Sequence, residues 1–143
     1  MSFTAAGYSG GHLKNPTYKD VCSGTTEHAE VVQLYFDSTV VSYSELVDAF
    51  MAMHDPTTKD RQGVDVGRQY RSAIFCHSDS QKTQAQGKVD SYVSADGAKA
   101  VTEVCEFVEF FAAEDYHQKY IAKQSAATGR KVTCSNGACT LKA

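Results

Sequence analysis

The apolar positions of this chain fall into short runs divided by polar stretches, and their spacing predicts most of its elements. "HAEVVQLYFD" (28–37) is β-branched and aromatic without a helical period, which predicts a buried strand. In "SYSELVDAFMAMHD" (42–55) the period lengthens, and Leu46, Phe50 and Met53 form an apolar stripe. Ser42 and Glu45 have the spacing of a capping box, so a helix starts there. "QYRSAIFCHS" (69–78) reads as a strand, 79–93 as a polar helix and "SADGAK" (94–99) as a turn. "VTEVCEFVEFF" (101–111) alternates as a strand, with Val104, Cys105 and Phe107 placed by the pleat. "AAEDYHQKYIAK" (112–123) reads as a short amphipathic helix. Residues 7–24 and "DPTTKDRQGVDVG" (55–67) read as loops, the first with a possible helix start after Pro16. Beyond Gln124 the chain becomes small and polar and is expected to be a mobile tail.

Strands separated by helices, with one long irregular loop, predict a compact α/β or α+β sandwich. The pattern leaves those two open. One domain over 1–123 and a tail over 124–143 is the expected organisation. The charge of -3 and pI near 5.9 give no bulk drive towards nucleic acid or anionic lipid. No run of 18 apolar residues predicts a membrane span, and "MSFTAAGYSGG" lacks the pattern of a signal peptide. Five cysteines are an odd count, which favours reduced thiols or redox chemistry over a secreted, fully bridged scaffold. A cytoplasmic protein is expected.

Several residues could carry chemistry. Glu30 opens an apolar strand, and a buried carboxyl there would hold its proton near neutrality; it could equally be the strand's solvent-facing first residue. Tyr18 and Tyr70 flank loop segments, where a phenol can hold an oxygen that gains negative charge, or simply pack. Asp65 lies between Gly63 and Gly67, where turn formation competes with orienting a donor. Cys134 and Cys139, with four residues between them, suit thiol exchange better than zinc, since the tail has no histidine. Cys22, Cys76 and Cys105 lie in or beside apolar segments and read as inert, and Cys22 alone sits beside candidate site residues.

Together, "GYSGGHLKNPTYKDVCSGTTEHAEVV", "SYSELVDAF", "HDPT", "RQGVDVGRQYRSAIF" and "TEV…F…AEDYHQKY" are more specific than any one of them. In that order and spacing the chain resembles the type A peptide methionine-(S)-sulfoxide reductases over residues 5–123. The resemblance implies a two-layer α/β (α+β) sandwich around a mixed sheet, and reduction of methionine sulfoxide, free or in proteins. In the implied reaction a cysteine thiolate attacks the sulfoxide sulfur and becomes a sulfenic acid. Thioredoxin or another thiol then restores it, with no bound cofactor, no metal and a monomeric protein.

By the same resemblance Glu30 is the acid that protonates the oxygen, and Tyr18 and Tyr70 are the phenols that bind it. Asp65 shapes the site, His28 supports Glu30, Cys134 and Cys139 are the resolving and recycling thiols, and Cys22 is structural. Glu27 stands where the family has glycine, and Met51 where it has tryptophan. The family's nucleophile lies in a Gly-Cys-Phe-Trp-Gly block upstream of "GYSGG", and these 143 residues do not contain that block. The expectation is therefore a chain shortened at its N-terminus relative to the family. A catalytically inactive relative that binds oxidised methionine or a protein partner is the alternative. Use of Cys22 or a tail cysteine as nucleophile would need a thiolate within about 3–3.5 Å of the sulfur, and nothing in the residue pattern points to it.

Overall fold

The computed structural model describes residues 3–114 and 138–142. A six-stranded mixed sheet forms its centre, in the order β6-β5-β8-β2-β1-β7. Its strands are β1 (Phe3–Ser9), β2 (Ala29–Tyr35), β5 (Ala73–Cys76), β6 (Glu103–Glu106), β7 (Phe110–Ala112) and β8 (Ala138–Lys142). A two-stranded hairpin, β3 (Arg61–Gln62) and β4 (Asp65–Val66), stands apart from it. β2, β8, β5 and β6 run parallel, while β1 is antiparallel to both β2 and β7. The helices are α1 (Tyr18–Cys22), α2 (Tyr43–Met53) and α3 (Asp79–Ser91), and a 3-10 turn spans Arg68–Tyr70. With both pairing senses present, the architecture is α+β.

The two faces of β2 carry different cores. Leu34 and Phe36 join Val47, Phe50 and Met51 of α2 and Ala85 and Val89 of α3, over Ile74 and Cys76 of β5. Ala29 and Val31 turn the other way, onto Ala73 and Phe75, beneath Phe107 and Phe110. α2 starts where its capping box predicts: Ser42 Oγ accepts from Glu45 N at 3.1 Å, and Glu45 Oε2 accepts from Ser42 N at 2.9 Å.

Three stretches differ from the sequence pattern. Phe3–Ser9 overlaps the predicted loop but is a strand, because β2 and β7 pair with it on both sides. The expected single strand over 101–111 is two. Its break at 107–109 lets the chain leave the β5 edge and pair with β1, and Phe107 and Phe110 cover the Val31 face on the way. Residues 138–142, expected in a mobile tail, form β8 between β2 and β5, so their backbone is paired on both sides. The helix expected over 112–123 lies almost entirely outside the described residues; Ala112 belongs to β7 and 113–114 are irregular.

Candidate active site

α1 brings two side chains to the site. Pro16 and Thr17 set its start: Thr17 Oγ1 accepts from Asp20 N at 3.2 Å and Asp20 Oδ2 from Thr17 N at 2.9 Å. Val21 anchors the helix against Tyr8 of β1. Glu114 fixes its first turn by accepting from Tyr18 N at 3.0 Å. Tyr18 and Cys22 are four residues apart on this helix, so their side chains lie on one face. The neighbouring Cys22 side chain is the main influence that holds the Tyr18 phenol far above its ordinary value. Both side chains remain exposed.

Glu30 lies across from α1, opposite Tyr8 in the β1–β2 register. It is half-buried, and burial pushes its carboxyl up to about 7, with the negative charge of Asp65 adding to the effect. Near neutrality Glu30 is therefore a proton donor as much as an anion. Tyr70 ends the 3-10 turn packed beside β2. Its phenol is also pushed up, by burial first, then by the charges of Glu30 and Cys22. Asp65 sits in β4, exposed, and acts on Glu30 through its charge.

Sequence reasoning gathered Tyr18, Glu30, Asp65 and Tyr70, and these four influence one another in the fold. Cys22, read as an inert structural cysteine, is exposed at the end of α1 rather than buried in a core. Cys134 lies outside the described residues. Cys139 is in β8, opposite Val32 and Ile74. Val32 is two residues along β2 from Glu30, about 7 Å of strand.

A buried layer holds these elements in place. His28 Nδ1 accepts from Gly11 N at 3.0 Å, so Nε2 carries the proton and donates to the Leu13 carbonyl at 2.6 Å. His28 thus pins the loop that leads to α1. A Cβ at Gly11 would collide with the Thr26 carbonyl and the His28 ring. On the other side, His54 Nδ1 donates to the Phe50 carbonyl at 2.6 Å and Nε2 bonds Ser72 Oγ at 2.8 Å. Burial lowers the imidazole, so it stays neutral and ties α2 to the segment after Tyr70. Glu103 clamps Arg71 at 2.8 Å and Arg68 at 3.1 Å, fixing the 3-10 turn from below. A cavity of about 560 Å³ opens beside these arginines, and neither Glu30 nor either phenol lines it. Among the described residues no group of three or more His, Cys, Asp or Glu could hold a metal ion, and no helix is long and apolar enough to cross a membrane.

A half-buried carboxyl that keeps its proton, two phenols and a thiol can bind a polar oxygen, protonate it and attack the atom that bears it. A family model described as peptide methionine sulfoxide reductase matches residues 1–141. The chain belongs to the peptide methionine sulfoxide reductase family. It is 54% identical over 123 residues to the peptide methionine sulfoxide reductase MsrA of Methanosarcina mazei, covering 85% of this chain and 58% of that protein. Against the MsrA of Methanosarcina acetivorans the identity is 52% over 123 residues, with 85% and 65% covered. The chain thus spans less than two-thirds of the length of these two curated relatives.

Solved members of the reductase family share the fold. The methionine sulfoxide reductase A of Corynebacterium diphtheriae superposes with a TM-score of 0.76 at 36% identity, covering 85% of this chain and 63% of that one. Mxr1 from Saccharomyces cerevisiae in reduced form gives 0.81 at 34% identity, covering 94% and 75%.

Proposed function

We propose that this chain reduces the S epimer of methionine sulfoxide, free or in proteins, at the Tyr18–Glu30–Tyr70 site. The observation that carries the reading is Glu30, pushed up to about 7 by burial beside two phenols that stay protonated. A sulfoxide oxygen accepts hydrogen bonds strongly, and it becomes basic once a nucleophile adds to the sulfur. Tyr18 and Tyr70 donate to that oxygen, and Glu30 supplies the proton. Asp65 keeps Glu30 protonated by adding negative charge nearby.

The electrons come from a thiol. A thiolate attacks the sulfoxide sulfur, the sulfur–oxygen bond of the substrate breaks, and the oxygen remains on the cysteine as a sulfenic acid. The substrate sulfur gains two electrons and the cysteine sulfur loses two. A second thiol condenses with the sulfenic acid, releasing water and leaving a disulfide, and an external dithiol returns both to the reduced state. Cys134 and Cys139 are assigned to that resolving and recycling work, with thioredoxin or a similar dithiol as the external partner. The protein is assigned to the cytoplasm, where reductant is available, as a monomer without a bound cofactor.

The test is chromatographic: the two sulfoxide epimers of N-acetyl-methionine are incubated separately with the protein and dithiothreitol, and the sulfide is quantified. Sulfide from the S epimer, with the R epimer unchanged, is the expected result. Equal consumption of both, or of neither, overturns the reading.

A further inference from the structure

Tyr70 is carried by a three-residue 3-10 turn, Arg68–Tyr70, that holds itself weakly. Its backbone bonds run from Tyr70 N to the Gly67 carbonyl at 3.0 Å and from Arg71 N to the Arg68 carbonyl at 3.2 Å, and such turns have poor hydrogen-bond geometry. The turn is entered through Gly67 at a φ of 143°, and no side chain caps it. The phenol stands at the far end of a long side chain, so a small rotation of the turn displaces its hydroxyl by more.

What holds the turn is one carboxylate. Glu103 lies in β6, opposite Ala73 in the register, and its N–H donates to the Ser72 carbonyl at 3.0 Å, so the side chain is presented from the sheet. Its Oε2 accepts from Arg71 Nε at 2.8 Å and its Oε1 from Arg68 Nη1 at 3.1 Å. The two oxygens thus bracket Tyr70 through the residues before and after it. Arg71 closes the turn again by donating from Nη1 to the Arg68 carbonyl at 2.9 Å. Asp60 holds the other flank, accepting from Arg68 Nη1 at 2.9 Å and, through its carbonyl, from Gly67 N at 2.8 Å. Arg71 is 5% exposed. Withdrawing a guanidinium from water is costly, so such a pair is a poor source of stability, and what its fork supplies is a fixed direction.

We infer that Glu103 and Arg71 are positioning residues of the sulfoxide site, setting where the Tyr70 hydroxyl stands. This rests on the sulfoxide-reduction reading above and adds to it two residues that act only through Tyr70. Arg71→Lys keeps the charge but cannot reach the Glu103 carboxylate and the Arg68 carbonyl at once. Glu103→Gln keeps the shape and turns one of the two accepting oxygens into a donor. Either change frees the turn to rotate and moves the phenol away from Glu30.

The test reads the same variants in two ways, each variant first checked for folding by circular dichroism. meta-Fluorotyrosine is incorporated throughout, and the fluorine resonance of Tyr70, assigned by its absence in Tyr70→Phe, is titrated with pH in the wild type, Glu103→Gln and Arg71→Lys. Burial and the charge of Glu30 push this phenol up in the wild type, so it should titrate lower in both variants. Arg71→Lys conserves charge, so its shift reports position. Glu103 is partly exposed, so Glu103→Gln carries both readings even where the buried Arg71→Lys fails to fold. The second reading is kcat and KM for N-acetyl-methionine-(S)-sulfoxide, for each variant with Tyr70 present and in a Tyr70→Phe background. With Tyr70 present kcat should fall about tenfold at little change in KM, and in Tyr70→Phe the same substitution should cost less than about twofold. A loss of equal size in both backgrounds, or a Tyr70 titration unmoved in the variants, overturns the positioning role and leaves sulfoxide reduction standing. No reduction by the wild type overturns that reading, and the titration alone then decides whether the carboxylate clamp sets the phenol.

Discussion

Tyr18 and Cys22 stand one helical turn apart on α1, and the cysteine side chain holds the phenol far above its ordinary value. The Tyr70 phenol, from a different part of the chain, is pushed up first by burial and then by the charges of Glu30 and of the same cysteine. The two phenols proposed to bind the sulfoxide oxygen thus come together from separate parts of the chain, near Glu30.

Removing either phenol should slow sulfoxide reduction. Tyr18→Phe and Tyr70→Phe each delete one donor to the developing oxygen charge, a loss of about tenfold to a hundredfold in kcat. Tyr18 is 36% exposed, so its effect should be the smaller. Steady-state rates of the single and double variants check this, and a double variant with the wild-type kcat would contradict it.

Glu30 should leave a mark on stability as well as on rate. Its carboxyl moves from its ordinary 4.5 to about 7 in the folded protein. Between those values the folded state binds more protons than the unfolded one, so stability falls as pH rises through the window. Glu30→Gln cannot ionise, and it should gain on the wild type by a few kcal/mol at most above neutrality. Urea titrations on both sides of the window measure this. A stability difference between the two proteins that does not change with pH would contradict the raised value.

Glu27 occupies a left-handed backbone conformation, with φ of 63°, where a side chain is strained. Its compensation is an ion pair with Arg68 at 3.6 Å, both partners partly exposed, and such pairs contribute about 0–1 kcal/mol. Glu27→Gly should therefore be neutral or stabilising by about 1 kcal/mol. A loss of more than that in thermal or urea unfolding would show that the ion pair matters more than the backbone.

Gly11→Ala should do the opposite. Its Cβ would overlap the Thr26 carbonyl and the His28 ring, so the loop leading to α1 must shift and the His28 bonds must break. A cost of about 2 kcal/mol or more, with a matching loss of activity, is expected. Wild-type stability and rate would show that the loop can relax without disturbing α1.

Where one face or one cap decides an element, the residue pattern reads correctly. β2 and α2 are of that kind, fixed by a β-branched run and by Ser42 with Glu45. β1 is not, because Phe-Thr-Ala-Ala-Gly-Tyr-Ser has small side chains and becomes a strand only through partners far along the chain. β8 depends likewise on β2 and β5 for its pairing. Resemblance drew Glu30, Tyr18, Tyr70 and Asp65 together, but the burial that raises Glu30 is a property of the assembled sheet. The exposure of Cys22 is likewise a property of the fold, where the residue pattern suggested a buried thiol.

The most direct test of the account is the pH profile of S-sulfoxide reduction by wild type and by Glu30→Gln, from about pH 5 to about pH 9. With Glu30 as the proton donor, the wild-type rate should fall as pH rises through about 7, where the carboxyl ionises. Glu30→Gln should lose at least tenfold at low pH and show no such fall. A variant with the wild-type rate and the same pH dependence would contradict the account.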